Sequence, residues 1–300
     1  MNASVRLLER TLPATVHLRA AVPEAHPSAS VLGTDRSGSG ALIDESGLIV
    51  TVNYIVLGSR DVRVTTFDGR EVAAEVVAQD FASGIAIVRA AGGGFQALPV
   101  ADGSSPLAVG DDAFIVASVG DAARRASSGG ITALEHFDAN WEYTLERAIL
   151  SSAMNPGLAG GPLVDRHGRV AGVVSLNMND IGRFSLAIPI EHYAGHREEL
   201  LRHGRRVTRP SRAWIGLFCY LLHGRVVVGG LLDGGPAAAA GLAPGDLVLA
   251  VGDQAVRTRR ELYERLWDHR AGEEVRLRVY RDGGPTTVLV RSVDVDEFFA

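Results

Sequence analysis

The sequence predicts a mostly β protein of two domains, and three observations carry that expectation. From Ser37 to Ile188 short β-rich runs follow one another at close spacing, separated by Gly, Asp and Asn. Around residues 191–212 the pattern breaks into a short charged segment and a proline-bearing linker. From Trp214 onward strands alternate with one clearly capped helix.

The first stretch reads, in order, as strands Ala41 to Ile43, Leu48 to Val52, Val62 to Thr66, Glu71 to Val77, Ile85 to Arg89, Ala113 to Ala117, Arg147 to Leu150, Val170 to Leu176 and Ser185 to Ile188. Many short strands at such spacing predict an antiparallel barrel or sandwich. Asp68-Gly69 is a hairpin signal between two of them. Glu191 to His203 carries Tyr193, Leu200 and Leu201 among charges with Gly204 after it, which predicts a short helix with a glycine stop. Arg205 to Arg212, with Pro210, is the linker, and the chain divides into residues 1–208 and 209–300. In the second part Thr258-x-x-Glu261 is a capping box, with Leu262 and Leu266 one turn apart on the helix it opens. Strands Val275 to Tyr280 and Thr287 to Arg291, joined through Asp282-Gly283-Gly284, close the unit.

With 46% hydrophobic residues in 300, the chain has enough apolar matter for proper cores. A net charge of −5 without a run of one sign lacks the basic footprint that nucleic acid or an anionic membrane surface demands. No stretch approaches the roughly 18 to 20 apolar residues of a membrane span. Cys219 is alone, so neither an internal disulfide nor a cysteine metal cluster is open to it, and neither metal nor cofactor is expected. Residues 1–20 carry Arg6, Glu9, Arg10 and Arg19 with no unbroken apolar core, so the sequence as written reads as cytoplasmic, or as cell envelope if a leader has been removed. All 30 basic residues are arginines.

Five segments, in order, resemble the HtrA/Deg proteases: residues 8–16 (Leu8 to Val16), Gly38-Ser-Gly-Ala-Leu-Ile-Asp44, Thr51-Val-Asn-Tyr-Ile-Val56, Asn155-Pro-Gly-Leu-Ala-Gly-Gly-Pro-Leu163 and Phe184-Ser-Leu-Ala-Ile-Pro189. The resemblance implies a trypsin-like fold of two six-stranded β-barrels followed by a PDZ domain of α+β type. It also implies a crevice where a serine attacks, a histidine takes its proton and an aspartate orients the histidine. At the matching positions this chain has Tyr54 for the histidine, Gly84 for the aspartate and Ala159 for the serine. Alanine supplies no nucleophile, glycine no side chain, and a phenol of pKa roughly 10 accepts protons poorly near neutrality. A catalytically inactive, peptide-binding member is therefore expected, a pseudoprotease acting as scaffold or regulatory subunit.

The alternative is an active HtrA-type serine endopeptidase with a rearranged site, in which His136, His167 or His192 meets Ser151, Ser152 or Ser175; the absence of lysine excludes a Ser-Lys dyad. The backbone N–H groups of Gly157 and Ala159 match the family's oxyanion hole, as a vestige of it. The segment Phe184 to Pro189 resembles the strand against which the family's substrates pair.

The second part resembles PDZ domains through Trp214-Ile215-Gly216-Leu217, Gly235 to Leu242 and Pro244-Gly245-Asp246. That resemblance implies a groove that pairs a peptide with a sheet edge and caps its terminal carboxylate with loop N–H groups. Trp214, Ile215, Gly216 and Leu217 are the expected cap, with one of Leu262 and Leu266 facing the groove. The partners implied are protein or peptide C-termini, and an assembly with copies of itself or with an active homologue. HtrA-type trimers use aromatic residues near the N-terminus, whereas the first aromatic here is Tyr54. The apolar end, Phe298-Phe299-Ala300 behind Asp296 and Glu297, has the form of a ligand for such a groove.

Overall fold

The computed structural model describes residues 3–121, 123–179 and 182–300; the first two positions of the stretch scanned for a leader lie outside them. The chain forms two compact units: Met1–Pro23, Gly33–His136 and Leu145–Val207 make the first, and Glu24–Leu32, Phe137–Thr144 and Thr208–Ala300 the second. The second unit thus takes in two upstream segments that a simple division after residue 208 leaves out.

The first unit opens with helix α1 (Ala3–Ala14) and strand β1 (Thr15–Ala21), while α2 (Ala29–Leu32) belongs to the second. Strands β2 (Asp35–Leu42), β3 (Leu48–Val52), β4 (Asp61–Thr65), β5 (Glu71–Asp80) and β6 (Ile85–Ala90) join β1 in a closed barrel of order β1-β2-β3-β6-β5-β4, with the one-turn helix α3 (Asn53–Val56) following β3. A second closed barrel, β10-β11-β12-β9-β8-β7, is built from β7 (Asp112–Ser118), β8 (Arg124–Asp138), β9 (Thr144–Ser151), β10 (Pro162–Val164), β11 (Val170–Met178) and β12 (Phe184–Pro189). Closure leaves no unpaired edge along the barrel wall, which is how a small antiparallel sheet avoids pairing with other chains. Branched residues pack both sides of the barrel wall: Ile85, Ile87 and Val88 of β6, and Ile115 and Val116 of β7, are almost wholly buried.

The charged segment expected as one helix is two, α4 (Glu191–Ala194) and α5 (Arg197–His203), broken at Gly195 and His196. Helix α5 stops at Gly204, whose left-handed backbone lets its N–H reach the carbonyl of Leu200.

In the second unit β13 (Leu217–Leu222), β14 (Arg225–Leu231), β15 (Leu247–Val251), β17 (Glu274–Arg281) and β18 (Gly284–Arg291) form a sheet in that order, with β16 (Gln254–Ala255) paired to β15. Helices α6 (Pro236–Ala239), α7 (Arg259–Trp267) and α8 (Val295–Phe298) complete it. Strand β17 shows why it forms: Val275, Leu277 and Val279 alternate into the core while Glu274, Arg276 and Arg278 face out. Helix α7 starts at the expected capping box, with the Thr258 side chain accepting from the Glu261 N–H and the Glu261 carboxylate accepting from Thr258.

Candidate functional site

In the first unit, the three positions that the resemblance assigns to a triad are all tied to the α3 turn. Tyr54 lies on α3 itself. The N–H of the preceding Asn53 donates to the Gly84 carbonyl at 2.7 Å. The loop bearing Ala159 is pressed against the same place: Ser39 N–H donates to the Ala159 carbonyl at 2.6 Å, and Ser39 Oγ to the Leu158 carbonyl at 2.8 Å. A β-carbon on the next residue, Gly160, would stand 2.4 Å from Thr51 Oγ1 and 3.2 Å from the Ile55 side chain, so only glycine allows this approach.

The chemistry at these positions is not that of a base and nucleophile. The Tyr54 hydroxyl donates to the Ser175 carbonyl at 2.8 Å, and burial pushes its phenol up to about 12. Gly84 sits at φ +78°, a left-handed backbone that side chains adopt at a cost. Around the expected oxyanion hole, the Gly157 N–H leans toward the Asn155 side-chain oxygen at 3.4 Å, and the Leu158 N–H donates to the Ser118 carbonyl at 2.8 Å. The Ala159 N–H has no hydrogen-bond partner among the described residues.

The described contacts of the histidines and serines considered for a rearranged site lead elsewhere. Ser151 and Ser152 direct their hydroxyls to the Gly130 carbonyl, His136 faces Glu146 at 3.8 Å, and His167 lies against Arg166. His192 is held below its ordinary pKa, mainly by burial.

A serine–histidine–aspartate string that sequence reasoning missed lies elsewhere: Ser118 Oγ is 2.9 Å from His17 Nδ1, and His17 Nε2 is 3.2 Å from Asp121. Ser118 and Asp121 are close neighbours in sequence, but His17 lies 101 positions before Ser118, and no motif joins them. Ser118 is completely buried and donates its proton to the Gly120 carbonyl at 2.7 Å, so no substrate reaches it. Burial, more than the neighbouring charges, lowers the His17 pKa.

Strand β12, expected to receive an extended peptide, is paired on both sides, with β11 and with β9. The β9 side is taken over Ser185 to Ala187, which leaves no edge for strand addition along that stretch.

The groove of the second unit lies between β13 and α7, and residues 138–143 lie in it. The Glu142 carboxylate accepts from three successive N–H groups: Gly216 at 2.7 Å, Leu217 at 3.0 Å and Ile215 at 3.1 Å. One residue back, Trp141 bridges Phe218 in antiparallel fashion, and the Cys219 N–H donates to the Asn140 carbonyl at 2.7 Å. Helix α7 closes the other side. Tyr263 OH donates to the Ala139 carbonyl at 2.8 Å, Arg259 donates to the Asn140 side chain, and Arg260 stands 3.6 Å from Asp138. Removal from water outweighs the three donors and Arg212, leaving the Glu142 carboxyl pushed up to about 7. Burial likewise raises the Cys219 thiol to about 11.

Of the residues expected to bind peptide, Ile215, Gly216 and Leu217 form the anion-binding loop through their backbone. Their side chains lie in one buried cluster with Leu262 and Leu266, all at most 1% exposed with residues 138–143 docked beside them. Trp214 pairs through its backbone with Val293, and its ring packs on Phe298 and Phe299, 4.8 and 5.5 Å between centroids, while its edge lies against Gly216, where an added β-carbon would stand 3.0 Å from it. The tail is therefore no groove ligand in this chain, since it is held by Trp214, by His26 stacked on Phe299, and by Arg209 paired with Asp294 and Asp296. Among the described residues no three His, Cys, Asp or Glu side chains converge as metal ligands, and no helix is long and apolar enough to cross a membrane.

Comparison with known proteins agrees with this architecture. The trypsin-like peptidase domain family matches residues 38–173, and the PDZ domain family residues 213–291. A probable periplasmic serine endoprotease DegP-like of Halomonas elongata is 30% identical over 84% of this chain and 55% of its own length. The serine protease Do-like HtrA of Bacillus subtilis is 26% identical over 85% of this chain and 63% of its own. The chain thus spans between half and two thirds of the length of these relatives. Among solved structures, the HtrA-type protease AlgW with tripeptide superposes at a TM-score of 0.59 with 22% identity, covering 98% of this chain and 97% of that one. The serine endoprotease from Yersinia pestis superposes at 0.58, also at 22% identity, over 99% of both chains. Two closed six-stranded barrels followed by a PDZ sheet, matched in order by both families and by these relatives, place the chain among the HtrA/DegP proteins as a trypsin-like peptidase domain joined to a PDZ domain.

Proposed function

We propose that this chain is a pseudoprotease that binds the C-termini of proteins or peptides through its PDZ groove, as a scaffold or as a regulatory subunit beside active relatives. The observation that carries the loss of catalysis is Tyr54. Where the family's pattern has the histidine base, a phenol holds its proton up to about pH 12 and donates it to the Ser175 carbonyl. A hydroxyl so engaged accepts no proton from a nucleophile, and Ala159 offers none. The left-handed backbone at Gly84 supports the same reading.

Peptide binding rests on the Ile215-Gly216-Leu217 loop, whose three N–H groups already grip a carboxylate. The AlgW structure named with tripeptide offers a parallel for peptide recognition in the family. Vestigial donors at Gly157 and Ala159 have no catalytic role in this reading. The compartment supported by the relatives named periplasmic is the cell envelope.

The test is to treat the purified chain with a fluorophosphonate probe and to measure casein turnover. Neither labelling nor turnover is expected. Stoichiometric labelling at one serine, blocked by denaturation, would restore the reading of an active endopeptidase with a rearranged site.

A further inference from the structure

The contacts of residues 138–143 follow the pattern by which a peptide terminus enters a PDZ groove. Chain direction is antiparallel to β13, with Asn140 opposite Cys219, Trp141 opposite Phe218 and residue 142 at the loop. At the place where a free C-terminus would present its carboxylate, the Glu142 side chain presents one instead. The backbone then turns away: Tyr143 N–H returns to the Trp141 carbonyl and Ala139 N–H to the Tyr143 carbonyl. This tight turn lets an internal segment end like a terminus without being one. Glu142 is 8% exposed and Ala139 1%, so the seat is filled rather than grazed.

We propose that residues 139–143 are a built-in ligand of the PDZ groove, with the Glu142 carboxylate holding the seat of a peptide's C-terminal carboxylate, and that external peptides bind only by displacing it. This rests on the reading that the groove takes C-terminal peptides. Two kinds of contact are shared between insider and competitor: the three loop N–H groups, and the β13 edge through Cys219. Only one carboxylate fits on Gly216 N–H at a time. Because the insider is part of the same chain, it competes at an effective concentration that for tethered ligands is on the order of millimolar. A micromolar peptide therefore meets a groove that is mostly taken. The ligand class follows from the seat: a peptide with a free α-carboxylate, lying extended beside β13, with an amide-type side chain two residues before the end where Arg259 now holds Asn140.

The experiment has two arms on the whole chain. In the first, amide hydrogen exchange compares wild type with Glu142→Ala. Exchange at Ile215, Gly216, Leu217 and Cys219 should accelerate at least tenfold in the variant, and unchanged protection overturns the proposal. In the second, the peptide Phe-Asp-Ala-Asn-Trp-Leu is titrated by calorimetry with a free carboxylate and as its amide. Glu142→Ala should bind the free acid at least tenfold more tightly than wild type does, and the amide should bind to neither.

A second variant, with Asn140, Trp141 and Glu142 replaced by Gly, Gly and Ser, covers any folding defect of the first and should bind as tightly. Equal affinity in all three chains overturns displacement. If exchange accelerates as expected yet no chain binds the acid, the peptide-binding function falls and displacement with it, while the docked Glu142 stands.

Discussion

Placing His, Asp and Ser at positions 54, 84 and 159 together should give a chain that is less stable and has little proteolytic activity. The first change removes a part-buried hydrogen bond, Tyr54 OH to the Ser175 carbonyl, worth about 1 kcal/mol net. The second puts a β-carbon on a backbone at φ +78°, which costs roughly 1 to 2 kcal/mol, toward the lower end for aspartate. The third adds one hydroxyl at a half-buried site and is nearly neutral. Together they cost roughly 2 to 3 kcal/mol, which for a unit of this size lowers Tm by roughly 4 to 12 °C. Nor does the new triad inherit a prepared hole, because the Gly157 N–H leans toward Asn155 and catalysis is lost when donors are misplaced by about 1 Å. Calorimetric melting and casein turnover read the two effects. A triple variant that melts with wild type and digests casein like an intact relative would refute the reasoning.

Three further outcomes follow from the second unit. Docking of residues 139–143 should weaken as pH rises. The Glu142 carboxyl stands near 7 when docked against an ordinary 4.5, so the stabilisation is complete below about pH 4.5 and lost as pH passes 7, a change of roughly 3 kcal/mol. Arg212, Cys219 on β13 and Tyr263 on α7 are the titratable groups that sense it, and neither thiol nor phenol titrates in that window. Exchange-derived opening at Gly216 should rise about a hundredfold between pH 5 and 8; opening favoured by acid would mean that the three donors hold Glu142 ionised. Ile215→Asp or Leu217→Asp should lower the Tm of the second unit by more than 10 °C, since each buries an unpaired charge in the core, and a peptide-affinity loss without a Tm change would contradict their placement. Deleting residues 298–300 should destabilise the unit by about 2 to 4 kcal/mol in denaturant melts without exposing the groove, because both rings pack on Trp214; increased peptide affinity with unchanged stability would restore the tail as a groove ligand.

How much of this was legible in the sequence depends on whether a signal is local. Strands such as β3 and β6 are continuous apolar runs and read directly, and the Thr258 capping box is a four-residue pattern that the structure reproduces atom by atom. Strand β8 escaped because Arg124, Arg125, Gly129 and Gly130 hide its pairing with β7. Strand β1 escaped because His17 and Arg19 interrupt its apolar pattern, and β10 because it is three residues long behind a glycine pair. At the site, the motif alignment found the α3 turn but not what Tyr54 touches, since Ser175 lies on another strand. Leu262 and Leu266 have the same spacing whether they face a groove or a core, and both are buried with residues 138–143 docked. Glu142 gave no signal at all: one glutamate in a hairpin tip, some seventy positions from the loop that holds it, belongs to no pattern.

The hairpin tip also bears on what an excised domain would measure. A fragment starting at residue 209 lacks residues 137–144, so its carboxylate loop is empty, and it lacks His26, which stacks on Phe299. Every molecule of such a fragment would be competent for peptide, whereas in the whole chain only the fraction with the tip released is competent. Apparent affinity scales with that fraction, so a release cost of about 2 kcal/mol would make the fragment's affinity overstate that of the intact protein roughly thirtyfold. The strength of binding, on these terms, is set by a residue 74 positions upstream of the loop glycine it occupies.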